Sequence, residues 1–280
     1  MEPIYIALIA VGSLCLVFLL CVLVGLYLVG SHRRRAGIEK YLGVKYAHRG
    51  LHDATRAENS LSAFAAAKAL GFGIELDVQL SRDGELVVFH DFDLSRVCGV
   101  EGSVCDFTAE ELGKMKLSAT EDTIPTLKSV LELIDGAVPL LIEIKSKNGK
   151  EGAAERLAEE IKDYRGDFIV ESFNPVSLRR VRRLRPDIYL GILSMEYMKE
   201  ERFRGKLLYR LLENLCFNFL MRPDFIAYDK SGYKKRAVRH LRHSFGTPLI
   251  AWTVCSEEEE RDAISHGFDT VIFENYIPEK

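Results

Sequence analysis

Four short apolar runs in this 280-residue chain end in side chains that can hold a metal, move a proton or grip an anion. Val44-Lys45-Tyr46-Ala47 leads into His48-Arg49-Gly50. A second run carries Glu75-Leu76-Asp77. Val87-Val88-Phe89 ends in His90-Asp91, and Leu140-Leu141-Ile142 ends in Glu143-Ile144-Lys145. In a strand, residues i and i+2 share a face. Glu75 and Asp77 therefore project together, as do Glu143 and Lys145, while Leu76 and Ile144 point the other way. Three carboxylates gathered in one place repel one another unless a cation lies between them. Ligands that are all oxygen select a hard ion, Mg²⁺ or Ca²⁺, over zinc. His48 and His90 titrate near neutrality and suit an acid–base pair. Arg49 and Lys145 supply positive charge for an anionic oxygen. Each piece alone has a plainer explanation: an acid after a strand is often a cap or an ion-pair partner, and a lone strand-end His is often structural. Four such endings in one repeating pattern favour a single site for metal-assisted chemistry on an anion.

Those endings need a frame that brings them together. Strand-like runs fall at 44–48, 73–79, 86–90, 139–145, 168–173, 188–193, 224–229, 248–254 and 270–274. Helix-like stretches separate several of them. Residues 61–70 are rich in helix formers and stop at Gly71. Residues 126–135 place Leu127, Val130, Leu131 and Ile134 at helical spacing, and 151–163 and 175–185 have the same character. Residues 256–265 open with Ser256 and carry Glu259, a capping-box pattern. Repeated strand–helix–strand predicts a parallel sheet with helices outside, and the length suits a (β/α)₈ TIM barrel of ~250 residues. A doubly wound open sheet is the structural rival, but no glycine-rich phosphate loop follows the first strand. The nine candidate strands exceed a barrel by one, and 270–274 is taken as either a short closing strand or part of the final loop. Two stretches interrupt the alternation: 91–125, expected as a small insertion on the catalytic side, and 196–222. In the latter, Leu207, Leu208, Leu211, Leu212, Leu215 and Phe219 recur at helical spacing beside Arg202, Arg204, Lys206 and Arg210. That pattern predicts a basic amphipathic helix, suited to a lipid interface or to the barrel's own surface. The arginines at 179, 180, 182, 183 and 185 fit the solvated face of an outer helix, with anionic-lipid contact as the sharper option.

With 48% apolar residues the chain can bury a large core, and a net charge of −3 argues against a nucleic-acid binder. Residues 4–29 carry no charge at all, a run longer than the ~20 residues that span a bilayer. A membrane anchor over 1–30 is expected. A cleaved signal peptide is the rival, but it has a basic flank and a shorter apolar core. The basic residues His32-Arg33-Arg34-Arg35, with Lys40 and Lys45, follow the span. The positive-inside rule then places the rest of the chain in the cytoplasm as a single-pass protein of the cell membrane. Residues 31–43 are taken as a basic linker and 44–280 as the catalytic domain. The six cysteines show no paired framework, which suits a reduced compartment. Cys98 and Cys105 are favoured as free thiols over a disulfide or metal pair.

Taken together, His48-Arg49-Gly50, Glu58-Asn59-Ser60, Glu75-Leu76-Asp77-Val78, His90-Asp91, Ile124-Pro125-Thr126-Leu127, Glu143-Ile144-Lys145, Glu171-Ser172-Phe173 and Trp252-Thr253-Val254 resemble the glycerophosphodiester phosphodiesterases. The match in order and spacing covers residues 44 to about 274. The resemblance implies a (β/α)₈ barrel with a small insertion after the third strand. It also implies one divalent cation and cleavage of glycerophosphodiesters to glycerol 3-phosphate and an alcohol. By the same resemblance Glu75, Asp77 and Glu143 hold the metal and His48 and His90 are acid and base. Arg49 and Lys145 steady the phosphate with Glu58 and Asn59 nearby, and Phe173 and Trp252 line the glycerol side. Phe173 and Trp252 come from the resemblance alone. Three positions depart from the pattern. Ala57 stands where Pro is usual, Cys255 where Asn is common, and Phe273-Glu274 where Thr-Asp is common. They bear on substrate contacts and headgroup choice.

Two alternatives share these residues. One is a phospholipase-D-like enzyme acting on lysophospholipids. The other is a membrane-anchored pseudoenzyme that binds lipid headgroups, against which the intact pair of histidines argues.

Overall fold

The computed structural model describes residues 3–30, 36–147, 149 and 152–279. Among them nine strands form: β1 (Tyr46–Ala47), β2 (Gly73–Leu80), β3 (Leu86–Val88), β4 (Leu140–Ile144), β5 (Phe168–Ser172), β6 (Leu190–Ser194), β7 (Phe225–Asp229), β8 (Leu249–Val254) and β9 (Thr270–Phe273). All except β3 run parallel. The ladder passes from β1 through β9, β8, β7, β6, β5 and β4 to β2, and β1 pairs with β2 to close an eight-stranded barrel.

The surplus strand is β3, not the last run. β3 turns back antiparallel to β2, with Val78 opposite Val88, while β9 pairs with both β1 and β8 and completes the ring. An apolar run tells strand from coil but not the direction in which it pairs. Residues 91–125 then fold around a core of their own. Leu94, Val97, Val104, Leu112, Leu117 and Ile124 pack there with Val87 and Phe89 of the hairpin.

Alternation along the strands separates two cores. Outward side chains such as Ile74, Leu76, Val78, Ile142 and Ile144 meet the surrounding helices. Inward ones, including Tyr46, Leu141, Ile169, Leu193, Phe225 and Ile250, fill the lower barrel. Residues 36–43 contain the short helix Glu39–Leu42, and Ile38 and Tyr41 join this inner cluster as a plug. Near the top of the inner layer the apolar residues give way to Glu75, Asp77, Glu143 and Glu171, which is where chemistry is built.

Helix starts follow their caps. Ser60 accepts from the Ala63 N–H, Thr126 from the Ser129 N–H, and Asn174 from the Val176 N–H with Pro175 in the first turn. Ser256 accepts from the Glu259 N–H, but the Glu259 carboxylate reaches the Cys255 N–H, so the return bond is made one residue early. The helix Leu61–Ala69 ends at Leu70, and Gly71 takes the left-handed conformation at φ +69° that a side chain would resist.

The helix Pro3–Gly30 is 28 residues long. Its most apolar part, Leu8–Gly30, is long and apolar enough to cross a bilayer and is 0% buried; a signal sequence has the same character. Its end touches the barrel: the Asn218 amide donates to the Val29 carbonyl at 3.0 Å, and Val29 packs on the outer core. The basic cluster at 32–35 lies outside the described residues. The 196–222 stretch is not one amphipathic helix. It breaks into Tyr197–Lys199, Glu201–Phe203, Leu207–Glu213 and Asn218–Met221, with Leu215 buried at φ +58°. Leu207 and Leu208 stay exposed, at 69% and 55%.

Candidate active site

β2 and β4 are neighbours, and their register sets Asp77 beside Glu143, with Glu171 of β5 next in the same row. Period-two alternation aims Glu75, Asp77, Glu143 and Glu171 inward. Glu75, Asp77 and Glu143 are 2%, 1% and 6% exposed. Each offers one oxygen, and the three oxygens lie within 4.8 Å of one another. Two strands, β2 and β4, supply this set.

The acids sit among fixed donors. Lys145 Nζ donates to Glu143 at 2.8 Å and lies 3.1 Å from Asp77 Oδ1. Asn59 Nδ2 donates to the other Asp77 oxygen at 2.8 Å. The Arg49 backbone N–H donates to Glu75 at 2.9 Å, an approach made with Arg49 in the left-handed region at φ +54°. Burial, and then the charges of Asp77 and Glu143, push Glu75 well above the usual carboxylate range. Burial also pushes Glu143 up to about 7, against the pull of Lys145. Burial acts on Asp77 too, but the charges of Lys145, His90 and Arg49 overcome it and hold Asp77 low. Burial and then the charges of Glu75 and Glu143 raise Glu171 strongly.

These groups fit a hard cation. Asp77 Oδ1 and Glu171 Oε2 are buried and make no hydrogen bond among the described residues. Two of the three clustered acids are driven toward protonation by their surroundings, and a divalent ion would reverse that drive by giving the charges a partner.

Both histidines stand at the mouth. His48 follows β1, and its N–H bonds to the Phe273 carbonyl of β9. Its Nδ1 is 2.6 Å from Glu274. The β2–β3 hairpin brings His90 back to the rim, where Phe89 N–H bonds to the Asp77 carbonyl. His90 Nδ1 is 2.6 Å from Asp91, which Arg96 in turn holds. A carboxylate at Nδ1 fixes the ring and leaves Nε2 for proton exchange. Burial lowers both imidazoles below the ordinary 6.5, against the raising effect of Glu274 on His48 and of Asp77 on His90.

A cavity of about 100 Å³ opens here, lined by His48, Arg49, Glu75, His90, Lys145 and Trp252 among others. Phe173 also lines it, its ring edge-on to Trp252 at 5.4 Å. The buried Trp252 Nε1–H has no hydrogen-bond partner among the described residues. Glu58 and Asn59 stand behind the lining. Glu58 is taken up by Arg49 at 2.9 Å and by Arg96 at 2.7 Å, and Asn59 holds Asp77.

Glu171, which lines the cavity, and Glu274, which holds His48, are site positions to which the sequence reading gave no role. Glu171 shares the parity of Phe173 at the end of a strand-like run, the same signal that marked Glu143. Glu274 also ends an apolar run, Val271-Ile272-Phe273, but its partner His48 lies 226 positions away.

Residues 48–277 match the model of the Glycerophosphoryl diester phosphodiesterase family. A glycerophosphodiester phosphodiesterase of Caldanaerobacter subterraneus is 35% identical over 238 residues, covering 81% of this chain and 91% of that protein. Human glycerophosphodiester phosphodiesterase 1 is 26% identical over 268 residues, covering 82% of this chain and 77% of that protein. Among solved structures, an Oleispira antarctica phosphodiesterase in complex with its product sn-glycerol-3-phosphate superposes with TM-score 0.69 at 26% identity, covering 84% of this chain and 94% of that one. A Thermotoga maritima glycerophosphodiester phosphodiesterase gives 0.63 at 30% identity, covering 82% and 94%.

Proposed function

The chain belongs to the glycerophosphoryl diester phosphodiesterase family, and from that premise we propose how its barrel mouth works. The reaction is hydrolysis of a glycerophosphodiester to glycerol 3-phosphate and an alcohol. Glu75, Asp77 and Glu143 hold one divalent cation, Mg²⁺ or Ca²⁺, and His48 and His90 are the acid–base pair. The observation that carries this is the buried acid cluster, with its three oxygens within 4.8 Å, beside two imidazoles each held by a carboxylate.

A divalent ion bound there supplies Lewis-acid polarisation of a phosphoryl oxygen. Arg49 and Lys145 steady the anionic phosphate in a site shielded from water, where fixed charges act strongly. One imidazole takes the proton from the nucleophile at Nε2. The other gives its proton to the departing alcohol oxygen. The nucleophile is water, or the substrate's 2-hydroxyl through a cyclic phosphate that water then opens. Asp91 and Glu274 keep the rings in position. Glu58 and Asn59 act by positioning Arg49 and Asp77. Phe173 packs against the glycerol, and the Trp252 N–H offers it a donor.

The helix Pro3–Gly30 anchors the chain in the cell membrane, with the barrel on the cytoplasmic side. Leu207 and Leu208, exposed beside Arg204 and Lys206, touch the lipid interface.

Purified full-length protein should release glycerol 3-phosphate from at least one of glycerophosphocholine, glycerophosphoethanolamine and glycerophosphoglycerol. His48→Ala and His90→Ala should each lower turnover by ~10²–10⁴-fold with an unchanged melting temperature. Full activity in His90→Ala would remove that residue from the mechanism.

A further inference from the structure

We propose that Arg96 is a positioning residue for the phosphodiester reaction: one guanidinium from the 91–125 insertion fixes His90 through Asp91 and Arg49 through Glu58. The proposal rests on the phosphodiesterase reading above. It adds a residue to that reading, and a task for the insertion.

Arg96 is not among the residues that line the catalytic cavity, so it acts through what it holds. Its Nη2 and Nη1 donate to the two Glu58 oxygens at 2.7 and 3.0 Å, a bidentate pair. Its Nε donates to Asp91 Oδ2. The other Asp91 oxygen meets His90 Nδ1 at 2.6 Å. Glu58 Oε1 also accepts from Arg49 Nη1 at 2.9 Å, and Arg49 Nε lies 3.5 Å from Asp77. Charges of opposite sign thus alternate from Arg49 through Glu58 and Arg96 to Asp91, which ends on His90. Burial pushes both carboxylates up, but hydrogen bonds led by those from Arg96 hold Glu58 and Asp91 below the ordinary range. An isolated surface ion pair contributes little. A bidentate arginine inside a network is the exception.

The insertion supplies the aim. Arg96 lies in the one-turn helix Ser95–Cys98, between Leu94 and Val97, both buried in the insertion's own core. Asp93 accepts from the Ser95 N–H and fixes the start of that turn. Held by buried neighbours on either side, the arginine reaches two carboxylates from separate parts of the mouth: Asp91 after β3, and Glu58 in the segment between β1 and the helix Leu61–Ala69.

The two arms have separable readouts. His90 moves a proton in the transition state, so loosening it lowers kcat. Arg49 grips the phosphate of bound substrate and transition state alike, so loosening it raises KM.

The test measures kcat and KM of the full chain, with Mg²⁺ or Ca²⁺ present, on glycerophosphocholine, glycerophosphoethanolamine and glycerophosphoglycerol. Asp91→Asn should lower kcat about 10-fold, Glu58→Gln should raise KM about 10-fold, and Arg96→Ala should do both. Asp91→Asn added to Arg96→Ala should lower kcat no further than Asp91→Asn alone, because the two residues act in series. The Arg96 side chain is 52% exposed, so millimolar guanidinium can enter the site left by Arg96→Ala and should restore both constants, whereas ammonium, which has no planar fork, should not. Arg82 is a comparably exposed arginine that ties the barrel to the insertion at Glu111 and the Asp106 carbonyl; Arg82→Ala should leave both constants unchanged. Full activity in Arg96→Ala overturns the clamp, and so does a change in only one constant. Additive losses in the double variant, an equal loss in Arg82→Ala, or an Arg96→Ala protein that guanidinium does not restore overturn it as well. With the wild-type chain active, any of these results rejects the clamp alone. Absence of wild-type turnover on all three substrates rejects the phosphodiesterase reading and the clamp with it.

Discussion

His48 and His90 are built alike: each presents Nδ1 to a carboxylate at 2.6 Å, Glu274 for one and Asp91 for the other. Hydrogen bonding to His48 is also what holds Glu274 itself down, at about 2. Burial lowers His48, and Glu274 opposes that lowering. Glu274→Gln removes the opposing charge, so the His48 pKa falls further. If His48 is the base, the acid limb of the kcat/KM profile moves to lower pH, because the neutral ring persists further into acid. If His48 is the acid, the alkaline limb moves to lower pH, because the protonated ring is lost sooner. The direction thus assigns the histidine, and a profile with both limbs unmoved contradicts a positioning role for Glu274. At this scale the sequence was legible where the residues that meet at the mouth sit at strand ends. Glu75, Asp77, Glu143, His48, His90, Arg49 and Lys145 could all be read from parity and chemistry. The pairing of Glu274 with His48 could not, since only closure of β9 onto β1 brings the two together. Glu58 and Asn59 carried no sign that they would sit behind the lining, engaged with other site residues.

Elements place these residues through register. The pairing of β2 with β4 and of β4 with β5 makes the acid row, and the lower barrel must stay packed for that register to hold. Gly191 of β6 is one such point. A Cβ there would meet the buried Phe225 ring at 2.1 Å, so the absence of a side chain on β6 makes room for the aromatic on β7. Gly191→Ala should destabilise by ~1–3 kcal/mol, a fall of several degrees in Tm by thermal denaturation. An unchanged Tm would show that the ring moves freely and that this packing does not constrain the barrel. Eight parallel strands and the helices between them were legible because alternation and helical spacing are local. The antiparallel direction of β3 was not, because an apolar run ending in His90-Asp91 looks the same whichever way it pairs. Nor was the break at Leu215, where burial of one leucine overrides a leucine pattern that suits a continuous helix.

As a whole, the molecule couples an exposed apolar helix to a barrel through Val29 and Asn218, with Ile38 and Tyr41 closing the barrel floor. The proposed cytoplasmic placement of the barrel rests on the basic run Arg33, Arg34 and Arg35 that follows the apolar helix in the sequence. Cys105 in the 91–125 insertion and Cys255 after β8 are exposed, whereas Cys15 and Cys21 belong to the apolar helix. A membrane-impermeant maleimide should therefore label Cys105 and Cys255 only after cells are permeabilised. Labelling of intact cells at Cys255 would place the barrel outside.

The central claim is that Glu75, Asp77 and Glu143 together hold a divalent cation on which turnover depends. Release of glycerol 3-phosphate from a glycerophosphodiester, measured after dialysis against a chelator and again after Mg²⁺ or Ca²⁺ is returned, tests it most directly. The expected result is loss of turnover on chelation and recovery with the ion in the wild-type chain, and no recovery in Glu143→Gln. Full turnover in the presence of chelator would contradict it.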